Sequence, residues 1–145
     1  MNEDLLKKLH SLAQLDRDAV AVYDDALARV TDVDVKTHFT EFRDEHSHHV
    51  TEISAAIAQL GGTATDLKVD AMGMVAEWVV KFRSMMGEKG PLHAMRSAES
   101  YHNSRYKDAV GWAIEDAALL SELQAFYAEE QRHLKYIEER LAAKA

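Results

Sequence analysis

The sequence predicts an all-α protein, and three observations carry that expectation. Proline occurs once, at Pro91, and glycine only at positions 61, 62, 73, 87, 90 and 111, so helix breakers are scarce. Alanine, leucine, glutamate and lysine, the strong helix formers, are plentiful. Apolar side chains recur at three- and four-residue spacing through long segments that end at turn signals.

The first helix is expected from about 3 to 31, with Leu5, Leu9, Leu12, Ala19, Val20, Tyr23, Leu27 and Val30 at helical spacing. The turn TDVD follows, where Thr31 or Asp32 can cap a second helix over about 33–60. That helix carries Val35, Phe39, Phe42, Val50, Ile53, Ile57 and Leu60 and stops at Gly61-Gly62. A helix over about 66–86 is expected next, with Met72, Val75, Val79, Phe82 and Met86 on one face and Trp78 beside it; GEKGP breaks it. A third helix over about 91–115 starts at Pro91, a favourable first-turn residue. A fourth, about 118–142, shows Leu119, Leu123, Phe126, Leu134, Ile137 and Leu141. No strong breaker is read between these last two, so their boundary rests on length. The pattern is two helical hairpins joined by a connection of about thirty residues, long enough to cross a four-helix bundle.

One domain spanning 1–145 is expected from the length. The net charge of −8 disfavours nucleic acid, which needs clustered positive charge. The absence of cysteine excludes disulfides, iron–sulfur clusters and thiolate zinc sites. MNEDLLKKLHSL lacks a signal-peptide apolar core, and no apolar run reaches membrane-spanning length, so a cytoplasmic protein is expected.

The stretch FRDEHSHHV holds three histidines and two carboxylates within 44–49. At about 100° per residue, His46 and His49 fill the apolar stripe between Phe42 and Ile53, His48 points to solvent, and Glu45 lies at the edge. In FYAEEQRHLKYI, Glu130 and His133 fill the corresponding gap between Phe126 and Ile137. Setting Phe42, His49, Val50 and Ile53 against Phe126, His133, Leu134 and Ile137 superposes the segments without a gap and pairs His46 with Glu130. The other two helices match as well: inward Asp16 precedes Tyr23 by seven residues, and inward Glu99 precedes Tyr106 by seven. The chain reads as an internal pseudo-duplication. Three acids in one core repel one another unless protonated or neutralised by cations, and an unpartnered buried carboxylate costs several kcal/mol. A metal ion resolves this, and a donor set of imidazole and carboxylate suits iron, manganese or zinc.

These motifs resemble the ferritin-like superfamily of di-iron carboxylate proteins, whose bundles supply one acid from each of two helices and a Glu-x-x-His pair from each of the others. Glu99 and Glu130-x-x-His133 match directly, and IAQLGG after the second helix is also similar. Within the superfamily the chain looks most like small, little-characterised bacterial proteins with a tryptophan-containing segment between the hairpins. The resemblance implies a ferritin-like bundle with two iron ions held by Asp16, His46, His49, Glu99, Glu130 and His133. Glu45 is a secondary candidate, and His102 reads as a rim histidine with ligation as the lesser alternative. Tyr23 and Tyr106 are expected to hydrogen-bond to the carboxylates. The implied chemistry is iron oxidation by oxygen or peroxide, or metal handling. Two departures stand out: Asp16 replaces the usual glutamate, and the second helix offers either Glu45-x-x-His48, in family spacing, or His46-x-x-His49, in apolar register. The register favours the second, which leaves the first hairpin without a bridging carboxylate.

Three other readings fit the same residues: a helical adaptor or stress protein with a buried polar network, a single zinc site, and a hemerythrin-like oxygen carrier. The carrier is weakened by acids on the inner faces of the first and third helices. No feature marks the surfaces a storage cage needs. The apolar face over 70–86 is expected to form either a lid or a homodimer contact. His10, His38 and His93 are assigned no role.

Overall fold

A computed structural model describes residues 3–63, 77, 80, 87 and 89–143. Four helices account for most of them: α1 (Glu3–Leu27), α2 (Val33–Gln59), α3 (Gly90–Val110) and α4 (Ala117–Ala142). The expected helix over 66–86, with Trp78 and the lid or dimer face, lies outside the described residues except for Glu77 and Val80, which are helical and exposed.

Helix ends follow from local hydrogen bonding. α1 stops at Leu27, short of the expected 31, because Asp32 must be extended to cap α2 and the chain has to leave the helix first. The Arg29 amide tightens the exit by donating to the Ala26 carbonyl three residues back, at 3.0 Å. Asp32 then accepts from the Val35 amide at 3.0 Å. α2 ends in a paired carbonyl cap: Gly61, at φ 86°, donates to Ala58, and Gly62 donates to Ile57. α3 ends at Val110 rather than 115. Gly111 follows it, and Asp116 starts α4 by accepting from the Ala118 and Leu119 amides at 3.0 and 3.1 Å. Gly111 keeps a right-handed φ of −94°, so the boundary is marked by the start signal at Asp116.

α1 packs along α2 and α3 along α4, and the two hairpins meet through α1 with α3 and α2 with α4. Across both seams rising residue numbers meet falling ones: Asp16 with Tyr106 and Tyr23 with Glu99, then Glu45 with His133 and His49 with Glu129. Both seams are therefore antiparallel.

The apolar interior forms two layers. One gathers Leu5, Leu9, Leu12, Ile53, Ile57, Leu123 and Phe126; the other gathers Val22, Phe39, Phe42, Leu92, Met95 and Ile137. Each such side chain contributes about 1.5–3 kcal/mol when fully buried, so the two layers can hold a costly polar layer between them.

Candidate metal centre

Between the apolar layers every helix contributes ionisable side chains. Asp16 from α1, His46 and His49 from α2, Glu99 from α3, and Glu130 and His133 from α4 all have 0% exposure. His48 is exposed, so on α2 the inward pair is His46 and His49, as the apolar register requires. The six fall into two overlapping groups: Asp16, His46, His49 and Glu130, and His46, Glu99, Glu130 and His133. Within each group one donor atom per residue lies within 4.8 Å of all the others. His46 and Glu130 belong to both.

The centre has an approximate two-fold arrangement that follows the repeat in the sequence. The Tyr23 hydroxyl donates to Glu99 Oε1 at 2.5 Å, and the Tyr106 hydroxyl donates to Asp16 Oδ2. His49 Nε2 lies 3.2 Å from Glu129, and His133 Nε2 lies 2.7 Å from Glu45. Phe126 stacks on His49 at 4.1 Å, and Phe42 stacks on His133 at 4.2 Å. The arrangement breaks at His46, which stands opposite Glu130, and at His102, whose counterpart is Ala19. His46 Nδ1 lies 2.6 Å from Asp16 Oδ1, and its Nε2 lies 3.0 Å from Glu99 Oε1.

With their Nε2 atoms held by outer carboxylates, His49 and His133 turn Nδ1 toward the centre. This is the outer-carboxylate arrangement that orients metal-binding imidazoles. Glu45 and Glu129 line an open depression with Glu41, Asp44 and His48, so each histidine is one carboxylate away from solvent. Replacing Glu129 or Glu45 by alanine is expected to weaken metal affinity by about 10–100-fold each without unfolding the protein. Competition with a chromophoric chelator measures this.

Hydrogen bonding leaves part of this layer unsatisfied. Glu99 Oε2, both oxygens of Glu130, His133 Nδ1 and His102 Nδ1 are buried without a hydrogen-bond partner. Such groups cost about 1–3 kcal/mol each. Four of those five atoms belong to Glu99, Glu130 and His133, and carboxylate oxygens beside an imidazole nitrogen are an oxygen–nitrogen donor set suited to a divalent cation. The residues therefore fit a metal on the chemistry of the atoms that make no hydrogen bond.

His102 is not at the rim: it is buried, with Nδ1 3.5 Å from Glu99 Oε1 and its ring 5.0 Å from His46. The rim assignment failed because α3 buries a wider face than its apolar stripe indicates; Ala98, Glu99 and His102 are all inside. Glu129 was missed altogether, although the superposition of α2 on α4 pairs it with Glu45.

Charge is balanced internally. Burial alone would lower the His46 pKa, but Glu130, Asp16 and Glu99 outweigh it and push it up to about 10. His133 is likewise raised, to about 9, as Glu99 and Glu45 overcome burial. Burial works against ionised Asp16 and Glu99, yet the neighbouring imidazoles hold both below the usual carboxylate range. Glu130 goes the other way: burial, with Glu99 and Asp16 adding to it, raises its pKa well above normal despite His46. At neutral pH the metal-free layer thus holds imidazolium at His46 and His133, with Asp16 and Glu99 held toward the ionised form and Glu130 toward the protonated one.

Both raised imidazoles stabilise the fold fully below the ordinary value of 6.5, and their contribution is lost as pH rises through about 9 and about 10. Glu130 adds to the loss, since ionising it inside costs more than ionising it unfolded. The melting temperature of metal-free protein is therefore expected to fall between about pH 6 and pH 10, and bound metal should flatten the profile. Differential scanning calorimetry with and without metal tests both.

These four helices and their buried acid–imidazole layer define the class: an all-α, ferritin-like four-helix bundle with a candidate metal site. The chain is similar to a solved structure of ferritin-like, diiron-carboxylate proteins from Bacillus anthracis str. Ames. The TM-score is 0.77 at 19% identity, covering 97% of this chain and 99% of that one. Residues 4–111 match the family described as domain of unknown function DUF2383, and the chain belongs to that family. No curated protein matches it. Among the described residues, no helix is long and apolar enough to cross a membrane.

Proposed function

We propose that this chain is a dinuclear metal protein whose ions are iron and whose chemistry is ferrous oxidation by oxygen or peroxide. One observation carries the reading: the buried atoms of Glu99, Glu130 and His133 that make no hydrogen bond lie in a cluster that also contains Asp16, His46 and His49. A satisfied hydrogen-bond network, as an adaptor would carry, leaves no such atoms. The neighbour titled as a diiron-carboxylate protein supports iron over manganese or zinc.

Asp16 and His49 would hold one ion, Glu99 and His133 the other, with Glu130 shared. Bound there, two iron ions supply one-electron steps toward oxygen or peroxide. The protein's share is positioning. Tyr23 and Tyr106 each fix the acid of the opposite hairpin through a buried hydroxyl, and Glu45 and Glu129 fix the histidines. Phe42 and Phe126 cover the imidazole faces and keep water off them.

Anaerobic loading with ferrous iron followed by oxygen is the test. The reading expects a near-ultraviolet ferric absorption band to grow with oxygen consumption in wild type and in His48→Ala, but not in His133→Ala. Equal responses from His48→Ala and His133→Ala would contradict it.

A further inference from the structure

His46 stands where the repeat places a second Glu130, and it presents two donor atoms to opposite halves of the layer. Its Nδ1 lies 2.6 Å from Asp16 Oδ1 and 3.3 Å from Glu130 Oε1, while its Nε2 lies 3.0 Å from Glu99 Oε1. Glu130 is divided in the same way: Oε1 lies 3.6 Å from His49 Nδ1, and Oε2 lies 3.4 Å from His133 Nδ1. No other residue belongs to both donor groups.

We propose that His46 bridges the two ions as an imidazolate, with Nδ1 on the Asp16–His49 side and Nε2 on the Glu99–His133 side, opposite the carboxylate bridge of Glu130. This deepens the metal reading above and rests on it.

Three inner carboxylates against two divalent cations leave one positive charge in a layer closed to water, and an uncompensated buried charge is costly. Loss of the last ring proton cancels it. From the imidazolium of the metal-free layer both N–H bonds of His46 break, a metal–nitrogen bond forms at each nitrogen, and the two protons leave to solvent; no atom changes oxidation state. The ring also sets the spacing. With metal–nitrogen bonds of about 2.0–2.1 Å on either side, the ions sit about 6 Å apart. Pairs bridged without such a ring stand at about 3.5–4 Å.

Zinc is the probe, because it accepts imidazole and carboxylate and has no redox chemistry. Wild type, His46→Gln and His46→Glu are each loaded with two equivalents, and zinc positions are read from anomalous difference maps alongside zinc per chain. The bridge expects two zinc ions about 6 Å apart in wild type. It expects one ion in His46→Gln, which has no second ring nitrogen, and two ions drawn in to about 3.5–4 Å in His46→Glu. A wild-type pair already at about 3.5–4 Å, or a His46→Gln variant with unchanged occupancy and spacing, would overturn the bridge and leave the dinuclear reading standing. A single wild-type zinc would overturn the bridge and count against a dinuclear site. Wild type that takes up no zinc would overturn both. The wild-type map decides even if a variant fails to fold.

Discussion

Glu130→Gln is expected to abolish metal binding at both positions while leaving the metal-free protein at least as stable as wild type. The two halves of this result have one cause. Glu130 is fully buried, neither oxygen has a hydrogen-bond partner, and burial together with Glu99 and Asp16 favours its protonated form in the metal-free layer. A glutamine of the same shape puts an uncharged amide where the uncharged acid is the favoured form, so little stability is at stake. Metal binding is a different matter, because a divalent ion has to displace that proton and use the resulting charge. Glutamine offers one neutral oxygen where two charged ones stood between His49 and His133. The affinity loss should exceed the roughly 10–100-fold cost of removing an outer partner. Metal content after dialysis, with thermal melts in chelator, reads both halves. A variant that binds metal normally, or one that is strongly destabilised without metal, would contradict the assignment.

His46→Ala is expected to give the opposite signature, a large loss of metal-free stability. His46 lies within 3.0 Å of both Asp16 and Glu99, and all three are wholly buried. Removing the imidazolium leaves Asp16 with His49 Nδ1 and the Tyr106 hydroxyl, and Glu99 with the Tyr23 hydroxyl and imidazoles 3.5 Å away. Breaking a buried pair costs about 3–5 kcal/mol. Urea unfolding at neutral pH in chelator measures it. His48→Ala, on the exposed face of the same helix, should stay within about 0.5 kcal/mol of wild type. A His46→Ala loss no larger than that of His48→Ala would mean that the acids are neutralised by something other than this ring.

Much of this layer was legible in the sequence because helical geometry is strict over short distances. Phe42 and Ile53 fix the inner angle of α2, and that angle places His46 and His49 inside and His48 outside, as found. The seven-residue steps from Asp16 to Tyr23 and from Glu99 to Tyr106 carry the tyrosines two turns along the same face. Their partners were harder to see, because each hydroxyl crosses to the other hairpin and no single-helix pattern encodes a seam. Glu129 escaped for a related reason: beside Glu130 it looks like one more surface acid, and only its equivalence to Glu45 marks it. His102 escaped because its counterpart in the repeat is Ala19, so the internal comparison offered no match. The end of α3 depended on recognising Asp116 as the cap that starts α4.

The most direct measurement is the equilibrium stoichiometry of ferrous iron, bound anaerobically by stripped protein, with the melting temperature followed in the same titration. Convergent donors from four helices predict two ions per chain, a melting temperature that climbs until the second is bound, and loss of both effects in Glu130→Gln. A chain that takes up no iron, with its melting temperature unmoved, would mean that the acids and imidazoles of this layer serve only one another.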